Sequence, residues 1–187
     1  MRSAYPDAVE ISIVPATSAD DDPFVAEVVD LINRIYADAE KRLWVDGTER
    51  TNTAEMVSVV RGGQLAVARV DGRLVGAIRV QRLDSDLGEF GMLVASPDHR
   101  GTGIGRDLVA FAEDRARQQG LGRMQLELLV PQTWTHPVKE FLRGWYTRIG
   151  YAKVRTESLA EAYPALHPYL ATPCDFVIYH KDLRHTG

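Results

Sequence analysis

Apolar positions recur along this chain with two periods, one typical of β-strands and one typical of α-helices. Alternating or β-branched runs predict strands at residues 10–14, 65–70, 73–82, 89–95, 124–130, 151–155 and 176–180. Repeats of three and four residues predict helices at residues 23–43, 53–62, 103–119 and 137–149. The order β-α-α-β-β-β-α-β-α-β-β predicts an α/β fold, a mixed sheet of six to seven strands with helices on both faces.

Turn-forming residues mark several boundaries between these elements. Asp71-Gly72 separates two apolar runs and is the strongest hairpin signal in the chain. Pro23 follows three aspartates and begins the first helix, where its missing N–H costs nothing. Residues Thr156–Asp175 show no clear period, so we expect a long excursion from the fold there. Connections of this length are often functional, and a lid over a site is one role for it.

A glycine-spaced turn follows the predicted strand at residues 89–95. Gly101, Gly103 and Gly105 alternate with other residues just where the next helix begins. Without side chains at these positions, the main-chain N–H groups of the first helical turn are open to a ligand. These donors and the positive end of the helix dipole favour a phosphate. The segment predicts a site for a phosphorylated cofactor, and an ordinary strand-to-helix turn is the alternative.

Two common phosphate loops are excluded by the spacing of this turn. Counted from Gly101, Arg106-Asp107 stands where a Walker loop needs Gly-Lys. A dinucleotide fingerprint needs a final glycine where this chain has Arg106 or Leu108. The pattern that remains is Arg-x-x-Gly-x-Gly.

This remaining pattern, formed by Arg100, Gly103 and Gly105, resembles the pyrophosphate motif of the GNAT acyltransferase superfamily, whose members bind acetyl-CoA. A second segment, Tyr146–Tyr151, is similar to the Tyr-x-x-x-Gly-Phe/Tyr at the end of the family's fourth helix. The order of elements resembles the family's over nearly the whole chain. The sequence is therefore identified as a member of this family.

The resemblance implies where acetyl-CoA binds. In the family, the pantetheine arm of the cofactor lies along the motif-bearing strand and pairs with its free backbone groups. Gly91 in that strand predicts a bulge or a close backbone approach, with a loose edge strand as the alternative. The cofactor-binding positions implied are Leu93, Val94 and Ala95 on the strand, then Arg100, Gly101, Thr102, Gly103, Ile104, Gly105 and Arg106 in the turn.

Acetyl transfer to an amine also needs a base and an acid. Glu89 lies eleven residues before Arg100, as does the general base of some family members; a salt-bridge partner or a solvated glutamate is the alternative. Tyr146 matches the tyrosine that protonates the coenzyme A thiolate, and we expect its hydroxyl at a wetter edge. The alternative is a core aromatic. Lys139 replaces an asparagine that contacts the cofactor in many members, and it would either reach a phosphate or be exposed.

In this family the first two helices and the segment before the last strand enclose the acceptor. Aromatic walls with a carboxylate would seat a cationic amine by cation–π attraction. Each aromatic residue, taken singly, is more often structural. The candidates are Trp44, Arg50, Thr51, Trp134, His136, Tyr169 and Asp175.

Composition argues against several kinds of partner. The formal net charge of −4 disfavours binding to nucleic acid or to an anionic membrane. Cys174 is the single cysteine, so no intrachain disulfide can form and we expect a reducing, cytoplasmic location. We expect this thiol to be inert. The histidines and the cysteine show no metal-ligand spacing, and no apolar run is long enough to span a membrane.

We therefore expect a single domain, residues 1–187, that moves acetyl from acetyl-CoA to a primary amine of a small molecule. The resemblance implies direct attack of the amine, without a covalent enzyme intermediate. Two alternatives stay open: acetylation of a protein amino terminus or lysine, and a non-catalytic module that senses acyl-CoA. A homodimer is compatible with the sequence, which does not identify the acceptor.

Overall fold

A computed structural model describes residues 8–184 of the chain. The strands are β1 (Glu10–Ile13), β2 (Leu65–Val70), β3 (Arg73–Arg82), β4 (Leu87–Ala95), β5 (Arg123–Pro131), β6 (Ala152–Glu157) and β7 (Cys174–Asp182). The helices are α1 (Asp22–Ala39), α2 (Thr53–Arg61), α3 (Ile104–Gln118), α4 (Pro137–Arg148) and α5 (Leu159–Ala162). No helix in this range has the length and apolar character to cross a membrane.

The strands form one sheet in the order β1-β2-β3-β4-β5-β7-β6. β4 pairs in parallel with β5, whereas β5 with β7 and β6 with β7 are antiparallel. The sheet is therefore mixed and has seven strands, which confirms the predicted fold class.

The hairpin of β2 and β3 has the boundaries that its turn signal predicts. Asp71 and Gly72 have φ angles of 50° and 77°. Positive φ at both central residues is the requirement of a type I′ turn, whose twist matches that of the flanking strands. The pair Val70 and Arg73 closes the antiparallel ladder on either side of this turn.

The first helix is shorter than its apolar period predicts. α1 ends at Ala39, four residues before the predicted end at Leu43. Arg42 has a φ of 69°, a left-handed conformation that a right-handed helix cannot contain. Leu43 is fully buried all the same, because it packs in a core cluster after the helix has ended.

Contacts between residues divide the chain into two compact units. The first contains residues 8–35, Arg50–Gln81 and Phe90–Arg115. The second contains Tyr36–Glu49, Arg82–Glu89 and residues 116–184. Strand β4 contributes residues to both units.

The first unit contains the glycine-spaced turn and the start of α3. β1 pairs with β2 and β2 with β3, both antiparallel. α1 buries Val25, Val28 and Ile32 completely, at the three- and four-residue spacing of one helix face.

Gly76 in β3 allows α3 to lie close to the sheet in the first unit. A Cβ atom there would lie 2.9 Å from the carbonyl oxygen of Val94 and 3.0 Å from side-chain atoms of Ile104 and Leu108. The first separation is shorter than real Cβ atoms show, and the other two are tighter than nine in ten real Cβ contacts. The main chain of β3 thus packs directly against the first turns of α3.

The second unit is built around β5, β7 and β6. β5 pairs with β7 along its whole length, from Arg123 opposite Asp182 to Pro131 opposite Cys174. The predicted excursion is partly regular, since it contains α5 and a 3-10 turn at His167–Tyr169. Its Leu159 joins a core cluster, but its two regular elements, of four and three residues, are too short to show a hydrophobic period. The cluster contains Leu43, Leu129, Leu159, Phe176 and Ile178.

Replacing Gly76 by alanine should lower the free energy of unfolding by about 1–3 kcal/mol, the usual cost of overpacking. Urea unfolding should show a lower midpoint at an unchanged m-value. Gly91→Ala in β4 is the matched control, because the nearest neighbour of its new methyl group would be Arg79 Nη2 at 3.9 Å. If Gly76→Ala were as stable as the wild type, the close packing of α3 on β3 would be contradicted.

Candidate functional site

The turn before α3 has the conformation that its glycines predict. Gly101 and Gly103 have φ angles of 82° and 89°, in the left-handed region that residues with a side chain rarely adopt. The N–H of Ser96 donates to the carbonyl of Val75 at 2.7 Å and fixes the start of the turn to β3. The Thr102 hydroxyl donates to the carbonyl of His99 at 2.7 Å and tightens its centre. The turn is therefore held in shape within the first unit.

The first turn of α3 offers main-chain donors. The first bond into the helix runs from the N–H of Asp107 to the carbonyl of Gly103, at 2.9 Å. In the described chain, the N–H groups of Ile104, Gly105 and Arg106 have no acceptor. Ile104 is 2 % exposed and anchors this end of the helix in the core. The arrangement suits an anion with several oxygens.

Further groups suited to a phosphate are close to these donors in sequence. Arg100 is exposed, and Arg106 is an exposed cation that pairs with Asp107 at 3.0 Å. Nδ1 of His99 is buried and has no hydrogen-bond partner among residues 8–184. A buried nitrogen without a partner costs free energy unless a ligand or water satisfies it. The donors and cations present therefore fit a pyrophosphate.

Strand β4 departs from extended conformation one residue after the predicted position. Met92 has a φ of 50° in the middle of the strand. Gly91 makes no close backbone approach, since a Cβ there would meet nothing nearer than 3.9 Å, so that part of the prediction was wrong. The parallel pairing of β4 with β5 covers Leu87–Glu89. Leu93 and Ala95 are half-buried, and Val94 between them is buried.

Glu89 belongs to a buried polar network in the second unit. It is 3 % exposed, which excludes the solvated strand-end glutamate. Nε2 of Gln125 donates to a Glu89 carboxylate oxygen at 2.9 Å, and Nε2 of His180 lies 2.9 Å from Oε1 of Gln125. With the amide in this orientation, His180 must donate from Nε2. Burial, aided by nearby arginines, lowers the pKa of His180, so the ring is neutral at neutral pH.

The same network extends along β5 to a second carboxylate. Nε2 of Gln125 lies 3.4 Å from Oε1 of Glu127, and the Tyr163 hydroxyl donates to Oε2 of Glu127 at 2.8 Å. Sequence reasoning missed these residues. The alternation of Arg123, Gln125 and Glu127 with apolar positions indicated a polar face on the strand.

Tyr146 is more deeply buried than its place in the helix predicts. It is 6 % exposed, so the expected wetter edge was wrong. Its ring centroid lies 5.0 Å from that of Trp145 and 6.1 Å from that of Tyr151. Burial, with a smaller contribution from Tyr36, raises the pKa of Tyr146 well above its usual range. The hydroxyl therefore keeps its proton at any physiological pH.

Lys139 neither reaches out to a phosphate nor lies exposed, so both predictions were wrong. It is 5 % exposed and forms an ion pair with the equally buried Glu40. Nε1 of Trp44 donates to the other oxygen of this carboxylate at 2.6 Å. A buried ammonium needs such a partner because its desolvation is costly. The pairing therefore holds Lys139 within the second unit.

The structure brings some of the acceptor candidates together. Trp44 and Trp134 both line a cavity of about 500 Å³ in the second unit. His136 occupies the N-cap position of α4 without a side-chain capping hydrogen bond, and its ring centroid lies 5.3 Å from that of Trp134. Burial and then Lys139 lower the pKa of His136, whose Nδ1 has no partner in the described chain.

Four other candidates are not part of that cavity's lining. Asp175 accepts from Nε2 of Gln132 at 2.9 Å, and Tyr169 is exposed. Arg50 and Thr51 belong to the first unit, where their main-chain N–H groups donate to Asn33. Their part in acceptor binding stays a prediction.

Cys174 has the environment of an unreactive thiol. Burial raises its pKa to about 11, and its Sγ donates to the carbonyl of Thr172 at 3.4 Å. A thiol with a raised pKa is a poor nucleophile at neutral pH.

Comparison with known proteins adds evidence on identity. The Acetyltransferase (GNAT) family model matches residues 26–151. No curated protein matches the sequence. Among solved structures, Ard1 from Thermoplasma volcanium is similar with a TM-score of 0.64 at 16% identity, over 95% of this chain and 99% of that one.

Two further similar structures contain coenzyme A. An aminoglycoside 6′-N-acetyltransferase complexed with coenzyme A has a TM-score of 0.69 at 14% identity, over 95% of this chain and 99% of that one. N-acetylglutamate synthase from Neisseria gonorrhoeae, complexed with coenzyme A and N-acetyl-glutamate, has a TM-score of 0.59 at 18% identity, over 97% of this chain and 37% of that one. At these identities the similarity shows a shared fold. The family match covers more than half of the chain, and the protein therefore belongs to the GNAT family of acetyltransferases.

Proposed function

We propose that this protein is an N-acetyltransferase that uses acetyl-CoA and acts on the primary amine of a small molecule. The observation that carries the proposal is the turn before α3. Left-handed Gly101 and Gly103 precede three main-chain N–H groups without acceptors, and family membership supports a coenzyme A ligand for them. Two arginines and the buried Nδ1 of His99 add charge and a hydrogen-bonding atom beside these donors.

The proposal assigns a binding role to each part of this segment. The N–H groups of Ile104, Gly105 and Arg106 would bind the pyrophosphate, and Arg100 would compensate its charge. Main-chain groups of the β4 segment after Met92 would hold the pantetheine arm by strand-like hydrogen bonds. That segment consists of Leu93, Val94 and Ala95.

Acetyl-CoA supplies an activated acetyl group as a thioester. Glu89 would accept a proton from the amine, directly or through a water molecule, as the new C–N bond forms. Tyr146 would donate its hydroxyl proton to sulfur as the C–S bond breaks. The burial that raises the pKa of this hydroxyl would also disfavour a bare thiolate placed in the same surroundings.

A small-molecule acceptor is supported by the cavity of the second unit. Its volume of about 500 Å³ and its two indole walls suit a compact ligand with an apolar part. Its lining includes one cation and one anion, Arg42 and Asp46, so a ligand with both charges can be balanced there.

The proposal is tested by incubating the purified protein and acetyl-CoA with a library of amines and measuring release of free thiol. Amine-dependent release above the rate of spontaneous hydrolysis supports it. Calorimetric binding of acetyl-CoA without release for any amine would contradict it and favour a non-catalytic acyl-CoA sensor. Release only with peptides would contradict the small-molecule acceptor.

Removal of the Tyr146 hydroxyl should slow the reaction without disturbing the fold. Tyr146→Phe is expected to lower kcat by a factor on the order of 10² to 10⁴, the scale of a general acid. Tyr151→Phe is the matched control, because its ring is also buried and the family motif accepts either aromatic residue there. Cofactor affinity should be equal in both variants. Wild-type turnover by Tyr146→Phe would exclude the acid role.

Replacement of the Glu89 carboxylate should change the pH dependence of the rate. Glu89→Gln keeps size and hydrogen bonding but cannot take up a proton at neutral pH. The variant should lose most of its activity near neutral pH, where the amine is mostly protonated. It should recover part of that activity as the pH is raised and the solvent deprotonates the amine. Glu27→Gln, at an exposed position of α1, controls for the loss of a charge. A pH–rate profile that overlays the wild type would show that Glu89 is structural.

A further inference from the structure

The cavity of the second unit has fixed walls. It is lined by Arg42, Trp44, Val45, Asp46, Trp134, Ala171 and Thr172. Trp44 forms a β-bridge with Leu170, and main-chain bonds on either side reinforce it, from Val45 N–H to the Tyr169 carbonyl at 2.8 Å and from Ala171 N–H to the Leu43 carbonyl at 2.9 Å. These bonds hold the segment after α1 against the segment before β7.

Both indole rings of the cavity are oriented by their own hydrogen bonds. Nε1 of Trp44 donates to Glu40, and Nε1 of Trp134 lies 3.3 Å from the hydroxyl oxygen of Thr172. Their N–H groups are thus committed to the protein. What the two rings add to the cavity is apolar surface, which suits the apolar or aromatic part of a ligand.

Arg42 is a cation that is held in place without a carboxylate partner. Its guanidinium carbon lies 4.5 Å from the ring centroid of Trp134, and its main chain has the left-handed φ of 69°. The acidic groups near it in sequence are engaged elsewhere, since Glu40 pairs with Lys139 and Asp38 with Lys41. No ion pair or hydrogen bond of its side chain occurs within residues 8–184.

A guanidinium that is held over an indole ring and has no carboxylate partner is typical of a binding residue. A positive φ at a residue other than glycine costs free energy, so the surrounding contacts must hold the residue in that conformation. A guanidinium stacked on an indole keeps its in-plane N–H donors available, and their fork matches the two oxygens of a carboxylate.

Asp46 provides the opposite charge in the same lining. Its carboxylate is exposed and has no ion pair or hydrogen bond in the described chain. A cavity with one cation, one anion and two indoles is complementary to a zwitterion with an apolar body. Asp46 would attract the ammonium form in which an amine arrives, before the amine loses its proton and reacts.

We propose that the acceptor is an amino acid with an apolar or aromatic side chain, whose carboxylate binds Arg42 and whose body lies against Trp44 and Trp134. This inference rests on the proposed acetyltransferase function and specifies its substrate class. It makes Arg42 a specificity-determining residue.

The test compares amino acids with the amines that lack only the carboxylate. Phenylalanine and phenethylamine form one pair, and tryptophan and tryptamine form another. The wild type should show a kcat/KM at least tenfold higher for each amino acid, measured as thiol release. Arg42→Gln should lower kcat/KM for the amino acids on the order of 10- to 100-fold, which is the scale of a hydrogen bond to a charged group. The same substitution should change kcat/KM for the amines by less than about twofold, because they lack the carboxylate.

Three further variants sharpen this comparison. Arg42→Lys keeps the charge but lacks the planar fork of the guanidinium. It should therefore recover only part of the kcat/KM for amino acids that Arg42→Gln loses. Asp46→Asn should raise KM more than it lowers kcat. Arg73→Gln removes an exposed arginine at the first position of β3, in the first unit, and should leave every rate unchanged.

Binding measured without turnover separates this inference from the proposed function. Two of the three tryptophans line the cavity, so phenylalanine should change the indole fluorescence of the wild type and not that of Arg42→Gln. If this change occurs but no amine releases thiol, the amino-acid site stands and the acetyltransferase function fails. If amines react with no preference for a carboxylate and Arg42→Gln behaves as the wild type, the function stands and the inference is overturned. If phenylalanine changes no fluorescence and no amine releases thiol, the inference is also overturned.

Discussion

The left-handed backbone of Gly101 and Gly103 is the constraint on which the candidate cofactor site depends. It turns the chain from β4 into α3 so that the first N–H groups of the helix lack partners within the described chain. A side chain at either position would be strained, whatever space surrounds it. Gly76 adds a second constraint, because only a residue without Cβ lets β3 approach Ile104 and Leu108 so closely. Glycines thus set both the shape of the turn and the position of the helix behind it.

The second unit depends on buried polar groups that satisfy one another. Lys139 pairs with Glu40, and Gln125 connects Glu89 with His180. Loss of one partner from a buried ion pair costs about 3–5 kcal/mol, because the other charge remains desolvated. The Lys139–Glu40 pair therefore has a structural consequence: it positions the indole of Trp44 through the second oxygen of Glu40.

The sequence predicted those features of the fold that depend on neighbouring residues. The hairpin at Asp71-Gly72 and the glycine-spaced turn follow from residues next to one another. The last two strands, β6 and β7, extend beyond their predicted ends at residues 155 and 180. The end of α1 could not be predicted, because the left-handed conformation of Arg42 has no signature at a residue other than glycine. Lys139 was misjudged for a different reason. Its partner Glu40 is 99 residues away in sequence, and only the folded chain brings the two together.

Contacts between residues far apart in sequence also limited what could be predicted of the polar network in the candidate site. Glu89 and Tyr146 were chosen by resemblance to family motifs. Gln125 and His180 carry no such signal, and their contact follows from the register that places Gln125 opposite His180 in β5 and β7. The cavity depends on a bridge between Trp44 and Leu170, which no local pattern encodes. The stacking of Arg42 on Trp134, which makes it a candidate binding residue, likewise joins two segments far apart in sequence.

Hydrogen exchange at the turn tests most directly that coenzyme A phosphates bind the first turn of α3. Exchange would be followed by mass spectrometry for the free protein, with coenzyme A, and with pantetheine, which lacks the phosphates. Coenzyme A should slow exchange of the main-chain amides of Ile104, Gly105 and Arg106 strongly, and pantetheine should not. If coenzyme A bound, as shown by calorimetry, and left these amides exchanging at the rate of the free protein, the cofactor site would lie elsewhere.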